Sequence, residues 1–167
     1  VFQNAVSLGM NSVPAWFKEG MSQYVAQWLS REKGYVSGSF SNFMDTLWDQ
    51  AYNNRSFHTL QDQIVYKDSG NPLGLDITKY GKPLWAIAYM IELANQRAGI
   101  ANGSQVILID LVTEIRSKGW ETAFSDNVGI STSSFYTSFE NLINLNEKGV
   151  RVSNLITNNV SSTIVPK

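Results

Sequence analysis

Few side chains in this sequence could carry out chemistry. It contains no cysteine, which excludes a disulfide framework, a thiolate zinc site and a cysteine nucleophile. It contains one histidine, His58, which is followed four residues later by Asp62. One imidazole and one carboxylate make an incomplete metal site, so we expect His58 to have a structural role. On these residues alone the chain is a poor enzyme.

The acidic residues offer no clear pair for acid–base catalysis. Asp45 and Asp49 are four residues apart, a spacing that puts both carboxylates on one face of a helix. We interpret them, together with Glu32, as solvated charges and not as the paired carboxylates of a glycoside hydrolase. The sequence also contains no Gly-rich phosphate loop, nucleophile elbow or dinucleotide-binding fingerprint.

The most informative segment is PAWFKEGMSQY at residues 14–24. Its pattern Pro-x-Trp-Phe-x-Glu-Gly-x-x-x-Tyr resembles the second metal-binding helix of the gluzincin metallopeptidases, the zincins whose third zinc ligand is a glutamate. In that family two histidines of an H-E-x-x-H motif share one helix face and bind zinc, and the intervening glutamate is the general base. The resemblance therefore implies that Glu19 is a zinc ligand.

The spacing within the resemblance implies where the other ligands lie. The family separates the second histidine from this glutamate by eighteen residues, and eighteen residues precede Glu19 here. The resemblance thus implies a histidine immediately before Val1, in a parent protein cut just after H-E-x-x-H. Zinc is then the cofactor of the intact parent, and we expect this chain alone to bind none and to be inactive.

A second segment, YGKPLWAIAYMIEL from residue 80, resembles the Tyr-x-Lys-Gly segment that begins a long apolar helix in aminopeptidase-like gluzincins. The resemblance implies that Tyr80 donates a hydrogen bond to the oxyanion of the tetrahedral intermediate. Tyr80 follows Glu19 by 80 − 19 = 61 residues, close to the family's distance. The sequence departs from the family at Pro83, where the family has glycine, and Tyr89 is the alternative candidate. Further along, Gly129, Ser131, Phe135 and Phe139 also match a segment of the family's helical subdomain.

The elements that must position these residues are predicted to be helices. Apolar residues recur at spacings of three and four along most of the chain, whereas 55–77 has no clear period and stays open between a short helix and an extended piece. The first predicted helix spans 14–33 and stops at Gly34, and the second runs from Ser39 or Ser41 to the Asn53-Asn54 pair. Two longer helices are predicted at 78–98 and 104–118, followed by a short one near 120–127. A last helix is capped by Ser131 or Thr132.

The five tryptophans fall in these predicted helices, so we interpret them first as core residues. We therefore predict an all-α bundle of about six helices, resembling the C-terminal helical subdomain of the zincins. Residues 1–146 form this subdomain, and residues 147–167 are a tail or the start of a further segment.

The composition of the chain limits the classes of partner that it could bind. A net charge of −1 and a pI near 5.8 provide no basic surface for nucleic acid, and no apolar run is long enough for a membrane span. Charged residues make up 16% of the chain, below the roughly 25% of an average domain, which favours an exported or cell-surface protein. The resemblance implies a peptide or protein substrate for the parent.

Two alternatives to an active peptidase stay open: a helical binding or scaffolding module, and a degenerate zincin whose parent lacks the histidines. Loss of an N-terminal half would also expose apolar side chains through which a homodimer could form, namely Val1, Phe2, Val6, Leu8 and Met10. Three Asn-x-Ser sequons, at Asn54, Asn102 and Asn159, would accept glycans in a eukaryotic secretory route.

Overall fold

The computed structural model describes residues 13–53, 81–98 and 106–144. Every regular element in these three ranges is an α-helix, which confirms the all-α prediction and the predicted number of helices. The six helices are α1 Ala15–Glu32, α2 Phe40–Asn53, α3 Gly81–Ala98, α4 Val106–Lys118, α5 Trp120–Val128 and α6 Thr132–Asn144. None of the described helices has the length and apolarity that a membrane crossing requires.

Helix α3 is the centre of the bundle. Its residues from Gly81 to Ala88 are all buried, as are Met90 and Ile91, so the first three turns are enclosed on all sides and, apart from Lys82, carry no charge. A helix that is hydrophobic all round must be enclosed by other elements. Accordingly α3 packs against each of the other five helices, most extensively against α1 and α2.

The five tryptophans belong to the core, as predicted, and each is at most 5% exposed: Trp16, Trp28, Trp48, Trp85 and Trp120. Trp85 on α3 also donates its indole N–H to the carbonyl oxygen of Met44 on α2, at 3.1 Å. Trp48 meets Trp85 edge to face, with ring centroids 5.0 Å apart. These contacts fix α2 on the central helix.

The helix starts resolve alternatives that sequence reasoning had left open. The Ser39 hydroxyl accepts the backbone N–H of Asn42, so Ser39 and not Ser41 caps α2. The Ser131 hydroxyl accepts the backbone N–H of Ser134 and caps α6. Thr132 is buried instead, and its hydroxyl donates to the Glu121 carboxylate.

Helix α1 begins one residue later than predicted. Pro14 was expected at the first helical position, but its ψ of 144° is extended, and it therefore occupies the N-cap position. Its carbonyl oxygen accepts the N–H groups of Phe17 and Lys18, at 3.2 and 3.3 Å. At the other end the helix finishes at Glu32, just before the predicted stop at Gly34.

Several predictions fall outside the described residues. They concern His58, the open segment 55–77, residues 78–80 with Tyr80, the start of the helix predicted at 104, the tail 147–167, the three sequons, and the apolar N-terminal residues proposed for dimerisation.

Candidate functional site

Glu19 lies on α1 and its side chain is exposed. The buried residues of this helix recur at spacings of three and four, and they are Trp16, Phe17, Gly20, Met21, Tyr24 and Trp28. Glu19 lies outside this stripe, on the side of the helix turned away from the core. Its carboxylate is therefore accessible from solvent, and packing places no demand on its identity.

Gly20 brings the backbone of α1 into direct contact with α3. A Cβ atom added to Gly20 would lie 2.7 Å from the carbonyl oxygen of Pro83 and 3.0 Å from both its carbonyl carbon and its Cβ. No other residue type fits this helix crossing without movement of the backbone. Glu19 is the residue before Gly20, so its Cα lies about 3.8 Å from that of Gly20, while its side chain is exposed.

Pro83 is compatible with this position even though it departs from the family pattern. It is the third residue of α3, and the first N–H groups of a helix have no partner within the helix. A proline there removes no helical hydrogen bond. The carbonyl of Pro83 forms the contact with Gly20.

A buried ion pair fixes the same turn of α3 to α6. Lys82 is 2% exposed, and its Nζ lies 3.1 and 3.3 Å from the two carboxylate oxygens of Glu140, which is 22% exposed. Sequence reasoning missed both partners. The lysine directly before the apolar run PLWAIAYMI was the available signal for Lys82, but nothing local marked Glu140 as its partner.

The aromatic residues of the PAWF segment hold the start of α1 on the C-terminal helices. Trp16 stacks on Phe135 with ring centroids 5.6 Å apart, and its indole N–H donates to the Tyr136 hydroxyl at 3.2 Å. Phe17 lies 4.8 Å from Trp120, measured between ring centroids. Packing therefore accounts for the two aromatic residues that contribute most to the resemblance.

The environment of Tyr136 shifts its acidity. Burial raises the pKa of the Tyr136 phenol above its ordinary value. The hydrogen bond from Trp16 lowers this pKa, and the negative charge of Glu121 raises it. The phenol therefore stays protonated through the physiological pH range, in which it accepts the indole N–H.

Of the two tyrosine candidates, Tyr80 lies outside the described residues, and Tyr89 is partly buried. Its ring stacks on Phe135 with centroids 5.6 Å apart and lies 6.1 Å from Phe139. These contacts give Tyr89 a packing role between α3 and α6. They also show that Phe135 and Phe139, singled out from the sequence, are core residues of α6.

The carboxylates that can be located do not form a metal site by themselves. Asp45 and Glu32 are exposed, as expected for solvated charges, and the side chain of Asp49 is outside the described set. Within the described residues, no three histidine, cysteine, aspartate or glutamate side chains are close enough to bind a metal ion. Glu19 alone does not fit zinc, which needs at least three protein ligands.

Comparisons with known proteins find no relative: no protein-family model, no curated protein and no solved structure matches the chain.

Proposed function

We propose that this chain is part of a gluzincin-type zinc metallopeptidase that hydrolyses peptide bonds, and that Glu19 is its metal-binding carboxylate. The sequence contains only one histidine, so the two imidazoles of the intact site have to come from residues outside these 167. On this proposal, the 167 residues by themselves neither bind zinc nor hydrolyse peptides. We assign them no catalytic step for that reason.

The position of Glu19 carries the proposal. It is an exposed residue next in sequence to Gly20, the residue through which α1 meets the first turn of α3. Gly20 and Pro83, one from each of the two segments that resemble the family, are 83 − 20 = 63 residues apart in sequence and meet at this crossing. Such proximity is what a shared site needs, since its ligand and its oxyanion donor act on one substrate carbonyl.

The direct test is the coding sequence upstream of Val1. We expect the five preceding codons to specify His-Glu-x-x-His. If they do not, the active-peptidase proposal fails, and the chain belongs to a degenerate zincin or to a helical binding module.

The biochemical test uses the chain extended by that upstream segment. We expect one bound zinc per chain, and a zinc affinity that falls more than about 100-fold in Glu19→Gln, since even the loss of a residue that only supports a ligand costs 10–100-fold. Glu32→Gln is the matched control, because Glu32 is also an exposed glutamate on α1. Zinc affinity is measured by competition with a chelating dye.

Folding has to be monitored in the same variants. Both glutamates are exposed, so each substitution should change the free energy of unfolding by no more than about 0.5 kcal/mol. Equal zinc affinities in the two variants would remove Glu19 from the metal site.

A further inference from the structure

The ion pair between Lys82 and Glu140 lies where it costs the fold stability. Lys82 is the second residue of α3 and is almost completely buried. The N-terminal end of a helix carries the positive end of its macrodipole, which disfavours an ammonium group there. Burial adds the desolvation of two charges, which their mutual attraction often only offsets.

Stability is therefore a weak reason for charged residues at these two positions. Apolar residues of similar volume commonly replace a buried ion pair without loss of stability, and sometimes with a gain. An ion pair does add a preferred geometry, since Lys82 Nζ lies within 3.3 Å of both Glu140 carboxylate oxygens. Charged hydrogen bonds depend on distance and angle, so they resist a displacement of one helix along another more than apolar contacts do.

The pair lies on the turn of α3 that contacts α1. Pro83, the residue after Lys82, forms the backbone contact with Gly20, and Gly20 follows Glu19. We propose that Lys82 and Glu140 are positioning residues: their ion pair holds the first turn of α3 against Gly20 and so sets the location of Glu19. The importance of that location rests on the proposed function, but the positional effect itself does not.

The test is a distance measurement on the chain itself, in the absence of metal. Because the sequence contains no cysteine, nitroxide spin labels attach only at cysteines that are introduced. We place them at two exposed positions, Glu19→Cys on α1 and Asn141→Cys on α6. Pulsed dipolar spectroscopy then gives the distribution of distances between the two labels. A second labelled chain, with Glu19→Cys and Glu32→Cys, reports distances within α1 only.

The perturbation is the double substitution Lys82→Met with Glu140→Leu. We expect the α1–α6 distance to shift or broaden by about 1 Å or more, the scale on which a site becomes too loose to work. The distance within α1 should not change. The same response is expected from the near-isosteric single variant Glu140→Gln, which serves if the double variant does not fold.

A second ion pair supplies the control for general loosening. Lys118 lies 3.0 Å from both Glu114 on α4 and Asp126 on α5, and the site is partly exposed. Lys118→Met with Glu114→Leu therefore removes an ion pair between two helices that does not involve α3, and it should leave the α1–α6 distance unchanged. The proposal is overturned if the folded Lys82 and Glu140 variants keep the parent distance distribution, even with a lower melting temperature. It is equally overturned if the control variant broadens the distribution as much. Neither result depends on zinc, so both are separable from failure of the proposed function.

Discussion

Replacing Gly20 with alanine tests the helix crossing on which the candidate site depends. In an open helical position this change would stabilise the protein by about 1 kcal/mol, because glycine is the poorer helix former. Here the new Cβ would lie 2.7 Å from a backbone oxygen of Pro83, inside the contact distance. The obstacle belongs to the central helix, which cannot rotate away as a flexible side chain could, so the cost of overpacking should be near the upper end of its usual range, about 3 kcal/mol.

The net expectation for Gly20→Ala is a loss of about 2 kcal/mol, the difference between these terms. In a chain of this size the melting temperature should fall by about 4–8 °C. Thermal and urea unfolding followed by far-UV circular dichroism measure both quantities. The reverse change at an exposed position of the same helix, Ala26→Gly, should cost only about 1 kcal/mol through helix propensity. A Gly20→Ala variant as stable as the parent, or more stable, would refute the close crossing.

Two further predictions concern other parts of the bundle. Gly129 has φ of +90°, and a Cβ there would lie 2.6 Å from Cδ of Arg97. The Arg97 guanidinium in turn donates to carbonyl groups at the end of α5. Gly38 has a similar φ of +84° but open space around it. Backbone strain should lower the free energy of unfolding of both alanine variants by about 1–2 kcal/mol. Thermal unfolding should show the larger loss for Gly129→Ala, because the new Cβ also meets Arg97. Equal losses would mean that the Arg97 side chain moves aside at no cost. Because the folded pKa of Tyr136 is raised above its unfolded value, its contribution to stability is complete below about pH 10 and is lost as the pH rises through the folded pKa. Urea unfolding between about pH 8 and 11 should show a smaller alkaline loss in Tyr136→Phe, and an identical loss would contradict the shift.

Helix positions and the core were predictable because they depend on local spacing. Apolar residues at intervals of three and four identify a buried helix face wherever that face packs, so the tryptophans could be assigned to the core. Local spacing did not distinguish Ser39 from Ser41 as a cap, since both serines lie at the start of the apolar period and only backbone geometry selects between them.

The contacts that build the candidate site were not predictable, because each joins residues far apart in the chain. Lys82 and Glu140 are 58 residues apart, and neither has a neighbour in sequence that marks the other. Gly20 attracted notice as part of a family pattern, yet the close approach of Pro83 follows only from how α1 crosses α3. Such contacts depend on helix packing angles, which the hydrophobic period does not determine.

The packing contacts change which residues of the family-like segment bear on function. Trp16 and Phe17 fill the core between α1 and the C-terminal helices, and Gly20 permits a helix crossing, so a helical module without chemistry would need them equally. Glu19 differs from all three because it is exposed and no packing contact requires a carboxylate there. Packing gives no reason for a glutamate at this position, whereas a metal-binding role does. The proposed function is therefore decided at Glu19 and at the residues preceding Val1, and the aromatic residues of the same segment cannot decide it.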